Sequence, residues 1–181
     1  MPDRSLQELI DDAVAACKKP GKSGFDPSAV VVCPPKWIHV LEQRLLAELQ
    51  PDIESGQCAV ISAEGLLLDF WSKAAGEGAQ ISALEPRGMG RLMNDEENQF
   101  SDKVLHAILD AFQAYPSLKT CVVTGLWVFY PAIHTSSILS DLKSRNLGGQ
   151  VIFLYPGVDV DGVFLKLLGI DEGFGYKARR I

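Results

Sequence analysis

The chain has 181 residues, 47% of them hydrophobic, with 17 Lys and Arg against 23 Asp and Glu, a formal charge of −6 and a pI near 5.0. This length and apolar content suffice for one substantial core, so a single domain over residues 1–181 is expected. The acidic balance argues against broad attraction to nucleic acid, whose binding rests on clustered Lys and Arg, and no apolar stretch approaches the length of a membrane span.

The first residues lack the uninterrupted apolar run of a signal peptide, which leads to the expectation of a cytoplasmic protein. Leu6, Leu9, Ile10, Ala13, Val14 and Cys17 recur at helical steps, and Ser5 with Glu8 supplies a capping box, so residues 1–18 predict an N-terminal amphipathic helix. Residues 19–27 hold two Gly, two Pro and Ser and predict a loop. Within it, Gly21, Lys22 and Ser23 imitate the end of a phosphate-binding loop. Such a loop needs a glycine where this chain has Ala16, and it must lie between a strand and the following helix. Here it follows a helix and precedes a strand.

Residues 29–33 form a short β-branched run of the kind expected of a strand covered on both faces. Pro34 and Pro35 stop it and remove the backbone N–H groups that would hold phosphate oxygens there. Ile38, Leu41, Leu45 and Leu49 then mark a helix that Pro51 is expected to end, and residues 58–61 predict a second buried strand. Residues 66–71 begin a helix that fades by Gly76. Residues 77–98 lose periodicity and are expected to be irregular, with Gly88 and Gly90 as turn glycines.

Phe100, Val104, Leu105, Ile108 and Phe112 restore helical spacing up to Pro116, and residues 119–124 predict a third strand. Thr135 or Ser136 is expected to cap a short helix through Ile138, Leu139 and Leu142, closed by Asn146 and the Gly148–Gly149 pair. Residues 150–155 predict a fourth strand. From Val163 onward either a strand pair or a short helix and strand is expected, with residues 176–181 at an edge. Helices alternating with short apolar strands predict a three-layer α/β fold: a mainly parallel sheet of about four to six strands with helices on both faces. Its arrangement is expected to be like that of P-loop proteins, without a working phosphate loop.

Cys17, Cys33, Cys58 and Cys121 lack C-x-x-C spacing and read as small buried hydrophobes. His39, His106 and His134 have no metal-ligand spacing, and no nucleophile elbow or H-E-x-x-H pair occurs, so no catalytic, cofactor or metal residue is assigned. Two segments, residues 124–131 and 153–157, each begin as a strand and end in aromatic residues followed by proline. Two neighbouring strand ends would bring Trp127, Phe129, Tyr130 and Tyr155 to one rim, either as a rigid aromatic core under a loop or as a protein-binding surface. The basic end, with Lys177, Arg179 and Arg180, is a solvated terminus, a cap over helix carbonyls, or a site for an acidic partner. A competing reading is a nucleotide-binding or hydrolytic enzyme using Lys36, His134, Asp159 and Asp161 at the carboxyl ends of the strands.

The order of several motifs resembles the BrxB family of bacteriophage-exclusion (BREX) defence systems, as a divergent member. The resemblance rests on Thr124-Gly125 followed by Tyr130-Pro131, the serine-containing helix start at Ser137, and Phe153 to Gly157. It continues through Gly162 to Gly169 and ends at Tyr176 to Arg179, covering about residues 119–181. The family pattern usually carries arginine where this chain has His134, and its following histidine is replaced by Ser136 or Ser137. The resemblance implies a small non-enzymatic subunit working beside a PglZ-type alkaline-phosphatase-like protein and a large BREX ATPase, with no cofactor. On this reading Trp127, Phe129, Tyr130, His134, Tyr155, Tyr176, Arg179 and Arg180 bind the partner, and a homodimer is a further candidate assembly.

Overall fold

The computed structural model describes residues 4–19, 28–76, 100–130, 133–145, 147–160, 164–167, 170–175 and 179–181. The expected Gly21 to Ser23 loop, the irregular segment 77–98 with Gly88 and Gly90, and Asn146, Asp161 and Tyr176 lie outside them.

Five strands form an all-parallel sheet: β1 (Ser28–Cys33), β2 (Cys58–Ser62), β3 (Thr120–Thr124), β4 (Gln150–Val160) and β7 (Arg179–Arg180). Their spatial order is β2-β3-β4-β1-β7. The chain therefore leaves β1, passes over β4 and β3 to reach the far side of the sheet at β2, and returns strand by strand. Beyond Pro156, β4 leaves the parallel register and pairs antiparallel with β5 (Phe164–Leu167), which pairs in turn with β6 (Ile170–Gly175). This antiparallel pair realises the strand-pair option for the last segment.

Strand alternation sorts the core into two layers. Val151, Phe153 and Tyr155 of β4, with Val30, Cys121 and Val123, face α4 (Phe100–Ala114) and α5 (Thr135–Lys143). Ile152 and Leu154, with Ala29, Val31, Cys33 and Val122, face α1 (Leu6–Lys18) and α2 (Ile38–Glu54). The remaining described helix, α3 (Ala63–Gly76), follows β2 directly, and its Ala63, Leu66 and Leu67 join the first layer. The three-layer α/β fold with a mainly parallel sheet is thus what the protein adopts.

The capping box forms as expected. Glu8 N–H donates to Ser5 Oγ at 3.2 Å, and Ser5 N–H donates to the Glu8 carboxylate at 2.8 Å. Those Ser5 bonds hold the Glu8 carboxyl below its usual value. Two local expectations need correction. Pro51 does not end α2, which continues to Glu54. A proline there removes a single backbone N–H, the donor to the Ala47 carbonyl, and only one turn of helix remains beyond it. Nor does Thr135 or Ser136 cap α5. The cap position is His134, without a side-chain capping bond, while Thr135 is buried at 6% exposure inside the helix.

The far end of the sheet is closed by a buried polar cluster. Thr120 Oγ1 donates to the Cys17 carbonyl at 2.8 Å, and Gln150 Nε2 donates to the Ala16 carbonyl at 2.5 Å and to Thr120 Oγ1 at 3.1 Å. Arg179 donates to Gln150 Oε1 at 3.1 Å. These bonds satisfy carbonyls that the end of α1 leaves orphaned and fix that end over the start of β3 and β4. Since Thr120 and Gln150 open their strands, α1 runs antiparallel to the sheet, and its N-terminus lies at the strands' carboxyl ends.

All four cysteines are buried. Burial pushes the thiols of Cys17, Cys33 and Cys121 up to about 12 and that of Cys58 up to about 11. Thiolate is the reactive form, so these groups are expected to be inert in the native protein. A disulfide-exchange reagent at mildly alkaline pH should label none of them natively and all four in guanidinium. Rapid native labelling of any would show that its layer opens.

Candidate functional site

The carboxyl ends of the strands gather the polar and aromatic residues. After β1, Pro34 is extended and Pro35 opens a 3-10 turn (Pro35–Trp37) leading into α2. Lys36 is exposed there, with Nζ 5.5 Å from the Trp37 ring centroid. After β3, Gly125 takes φ 71°, and the chain enters a second 3-10 turn (Leu126–Phe129). A side chain at Gly125 would be strained by that φ, and its Cβ would lie 2.9 Å from Glu64 Cγ. Glycine therefore permits the first turn of α3 to close onto this turn.

The expected aromatic rim divides between core and surface. Tyr155 is 1% exposed and Phe129 8%, both inside the first core layer, where Phe129 meets Phe100 edge-to-face at 5.1 Å. Tyr155 follows Val151 and Phe153 at two-residue steps, and that alternation sends it under the helices rather than out of the strand end. Both residues thus take the rigid-core reading. Trp127 and Tyr130 stay partly exposed at the surface end. Trp127 touches both core layers, meets His39 edge-on at 5.9 Å, and its indole Nε1 has no hydrogen-bond acceptor among the described residues. Tyr130 meets His134 edge-on at 5.4 Å.

Exposed aliphatic side chains occur on the second 3-10 turn, on α2 and on α3. Val128 is 47% exposed, Val40 beside His39 is 43%, and Leu68 is 68%. Leu68 lies one helical turn beyond Glu64, on the α3 face that closes against Gly125.

At the end of β3 lies a polar group that sequence reasoning missed. Glu42 of α2 accepts a hydrogen bond from the Thr124 side chain at the end of β3, with Glu64 and His39 close enough to act on it electrostatically. Burial pushes the Glu42 carboxyl up, the Thr124 bond pulls it down, Glu64 raises it and His39 lowers it. Ser62, paired in register with Thr124, accepts from Gly65 N–H at 3.0 Å and starts α3. The only trace in the sequence is an acid in the helix that follows each strand end. Among the described residues no group of three or more His, Cys, Asp or Glu is placed to hold a metal ion.

The remaining expected residues lie elsewhere. His134 is half-buried at the start of α5, and the side chains of Asp159, Asp161 and Tyr176 lie outside the described residues, so the expected approach of His134 to the aspartates is not described. Arg179 and Arg180 form β7, at the edge of the sheet beside β1, as expected for the terminal segment. With Lys36 they line a cleft of about 1030 Å³ whose lining does not include Trp127. Among the described residues no helix is long and apolar enough to cross a membrane. Comparison with family models, curated proteins and solved structures finds no match to the chain.

Proposed function

We propose that this chain is a non-catalytic, partner-binding component of a BREX-like bacterial phage-defence system, working in the cytoplasm and contacting a PglZ-type alkaline-phosphatase-like protein. The observation that carries the reading is the partly exposed Trp127 with Val128, 47% exposed, beside it in the same turn, at the strand ends that α/β enzymes use for polar ligand sites. A partly exposed tryptophan next to an exposed aliphatic side chain has the composition found at interface centres. Pro34 and Pro35 at the end of β1 support the non-catalytic side, because they offer no N–H groups to a phosphate. The choice of partner, and a large BREX ATPase as a second one, rests on the resemblance of residues 119–181 to the BrxB family.

Co-purification with the PglZ-type protein tests this. Trp127→Ala with Val128→Asp is expected to weaken the complex by about 2 kcal/mol or more, the scale of an interface hot spot. Retention of full affinity by that variant, or no complex with the native chain, counts against the proposal.

A second reading, a hydrolytic enzyme, is favoured by one observation: Glu42, His39, Glu64 and Thr124 converge at strand ends, and a carboxyl raised by burial is a common general acid or base. The alternative, that Glu42 is a strained carboxylate with no chemistry, makes its own prediction. Its folded-state value is raised, so the charged form destabilises the fold at neutral pH and protonation relieves this as pH falls. Glu42→Gln should therefore raise Tm at neutral pH, and the gain should shrink as pH drops toward the ordinary carboxyl value of 4.5. A variant less stable at neutral pH would contradict the assigned direction.

A further inference from the structure

Trp127 does not line the cleft beside β7, and the charge of that cleft runs against that of the whole protein. In a chain of net charge −6, it is lined by Arg4, Lys19, Lys36, Arg179 and Arg180 with one acidic side chain, Asp12. Asp12 is held by Arg4, so that pair largely cancels. Lys19, Lys36 and Arg179 have no carboxylate within ion-pair distance among the described residues, and Arg179 bonds only the neutral amide of Gln150. We infer that the cleft between α1 and β7 binds an acidic peptide segment in extended form.

The shape and the spread of charge select this ligand. Lining residues run from Arg4, before α1, to Lys19, just after it, so the cleft follows the whole helix. A helix of 13 residues is about 20 Å long. An extended peptide of about six residues covers the same distance. Because α1 runs antiparallel to the strands, Lys36 lies at one end, after β1, while Lys19 and Arg179 lie at the other, where Gln150 opens β4. Cations separated along a groove suit carboxylates spaced along a chain, whereas a phosphate group needs donors converging on one point. Between the charged ends, Leu9, Ala15, Trp37 and Ile181 give an apolar floor for the intervening side chains and backbone. Duplex nucleic acid fits less well, since a chain of net charge −6 repels its phosphates beyond the cleft. This inference does not rest on the partner proposed above.

The test is fluorescence anisotropy with a labelled glutamate-rich peptide of about eight residues, long enough to span the groove. Saturable binding that weakens with added salt is expected, and Lys19→Glu with Lys36→Glu should weaken it about tenfold or more, since both positions are exposed and steer charge without supporting the core. Lys143→Glu, an equal charge change on exposed α5, should leave it within about twofold. Circular dichroism of each variant confirms that the fold is intact; if the double variant is unfolded, Lys36→Glu alone is read in its place. Absence of peptide binding overturns the inference, as does binding that survives charge reversal in the cleft. Displacement of the peptide by inorganic phosphate or ATP at lower concentration than by unlabelled peptide overturns it in favour of a phosphate site. Tighter binding of duplex DNA overturns it in favour of nucleic acid.

Discussion

Gly149→Ala is expected to lower the stability of the protein by about 1–3 kcal/mol, the cost of forcing an atom into a packed site that cannot yield. A Cβ at this position would lie 2.4 Å from the Lys119 carbonyl oxygen and 2.8 Å from Phe112 Cε1. The obstacle is backbone, not a flexible side-chain end. That same carbonyl accepts the Gln150 N–H at 2.9 Å, so the glycine is what allows β4 to begin its pairing with β3 at Thr120 and Gln150. The neighbouring Gly148 provides the contrast. Nothing lies within 4 Å of a Cβ there, so Gly148→Ala should be neutral or stabilise by about 0.4–1 kcal/mol through the unfolded chain. Urea unfolding of both variants checks the pair, and equal effects would show that the close approach at Gly149 is not what the site requires.

Gln150→Leu has the second large expected effect. Removing the amide leaves the buried Ala16 carbonyl without its donor and removes the acceptor of Arg179, while Thr120 keeps its own bond to Cys17. Orphaned buried polar groups cost about 1–3 kcal/mol each, and the new side chain has a similar volume, so lost hydrogen bonding rather than a cavity dominates. The loss should also be local. The start of β3 and β4, the end of α1 and β7 share this one side chain, so amide exchange is expected to accelerate at residues 15–19 and 179–181 before the central strands. If unfolding midpoints fall but exchange rises uniformly, Gln150 does not hold those elements together.

Much of the architecture was legible in the sequence because its signals are local. The capping box at Ser5, the β-branched runs of β1 and β3, and the helical spacing from Phe100 to Ile108 each contain their own cause. Proline was the less reliable guide: at Pro35 it opened a turn, but at Pro51 the helix ran on for one more turn, where little hydrogen bonding remained to be lost. Tyr155 was readable in principle. Its two-residue spacing from Phe153 and Val151 on a buried strand outweighs the aromatic character that suggested a rim.

The sites were harder to read because each depends on which strands become neighbours. Glu42 meets Thr124 only because the chain crosses from β1 to β2 over two strands, carrying α2 past the end of β3. Lys36 and Arg179 share a cleft only because β7 pairs with β1, from the opposite end of the sequence. No spacing rule links residues so far apart. What composition did supply was the sign of the question: in an acidic chain, any concentration of cations stands out.

The central claim is that the surface around Trp127 exists to bind a protein. Hydrogen–deuterium exchange of the native chain, alone and with the PglZ-type protein, measures this most directly. The account predicts slowed exchange confined to the second 3-10 turn with its flanks and to the facing turns of α2 and α3, at residues 125–130, 38–42 and 64–68. A complex that slows exchange elsewhere and leaves those residues unchanged would contradict it.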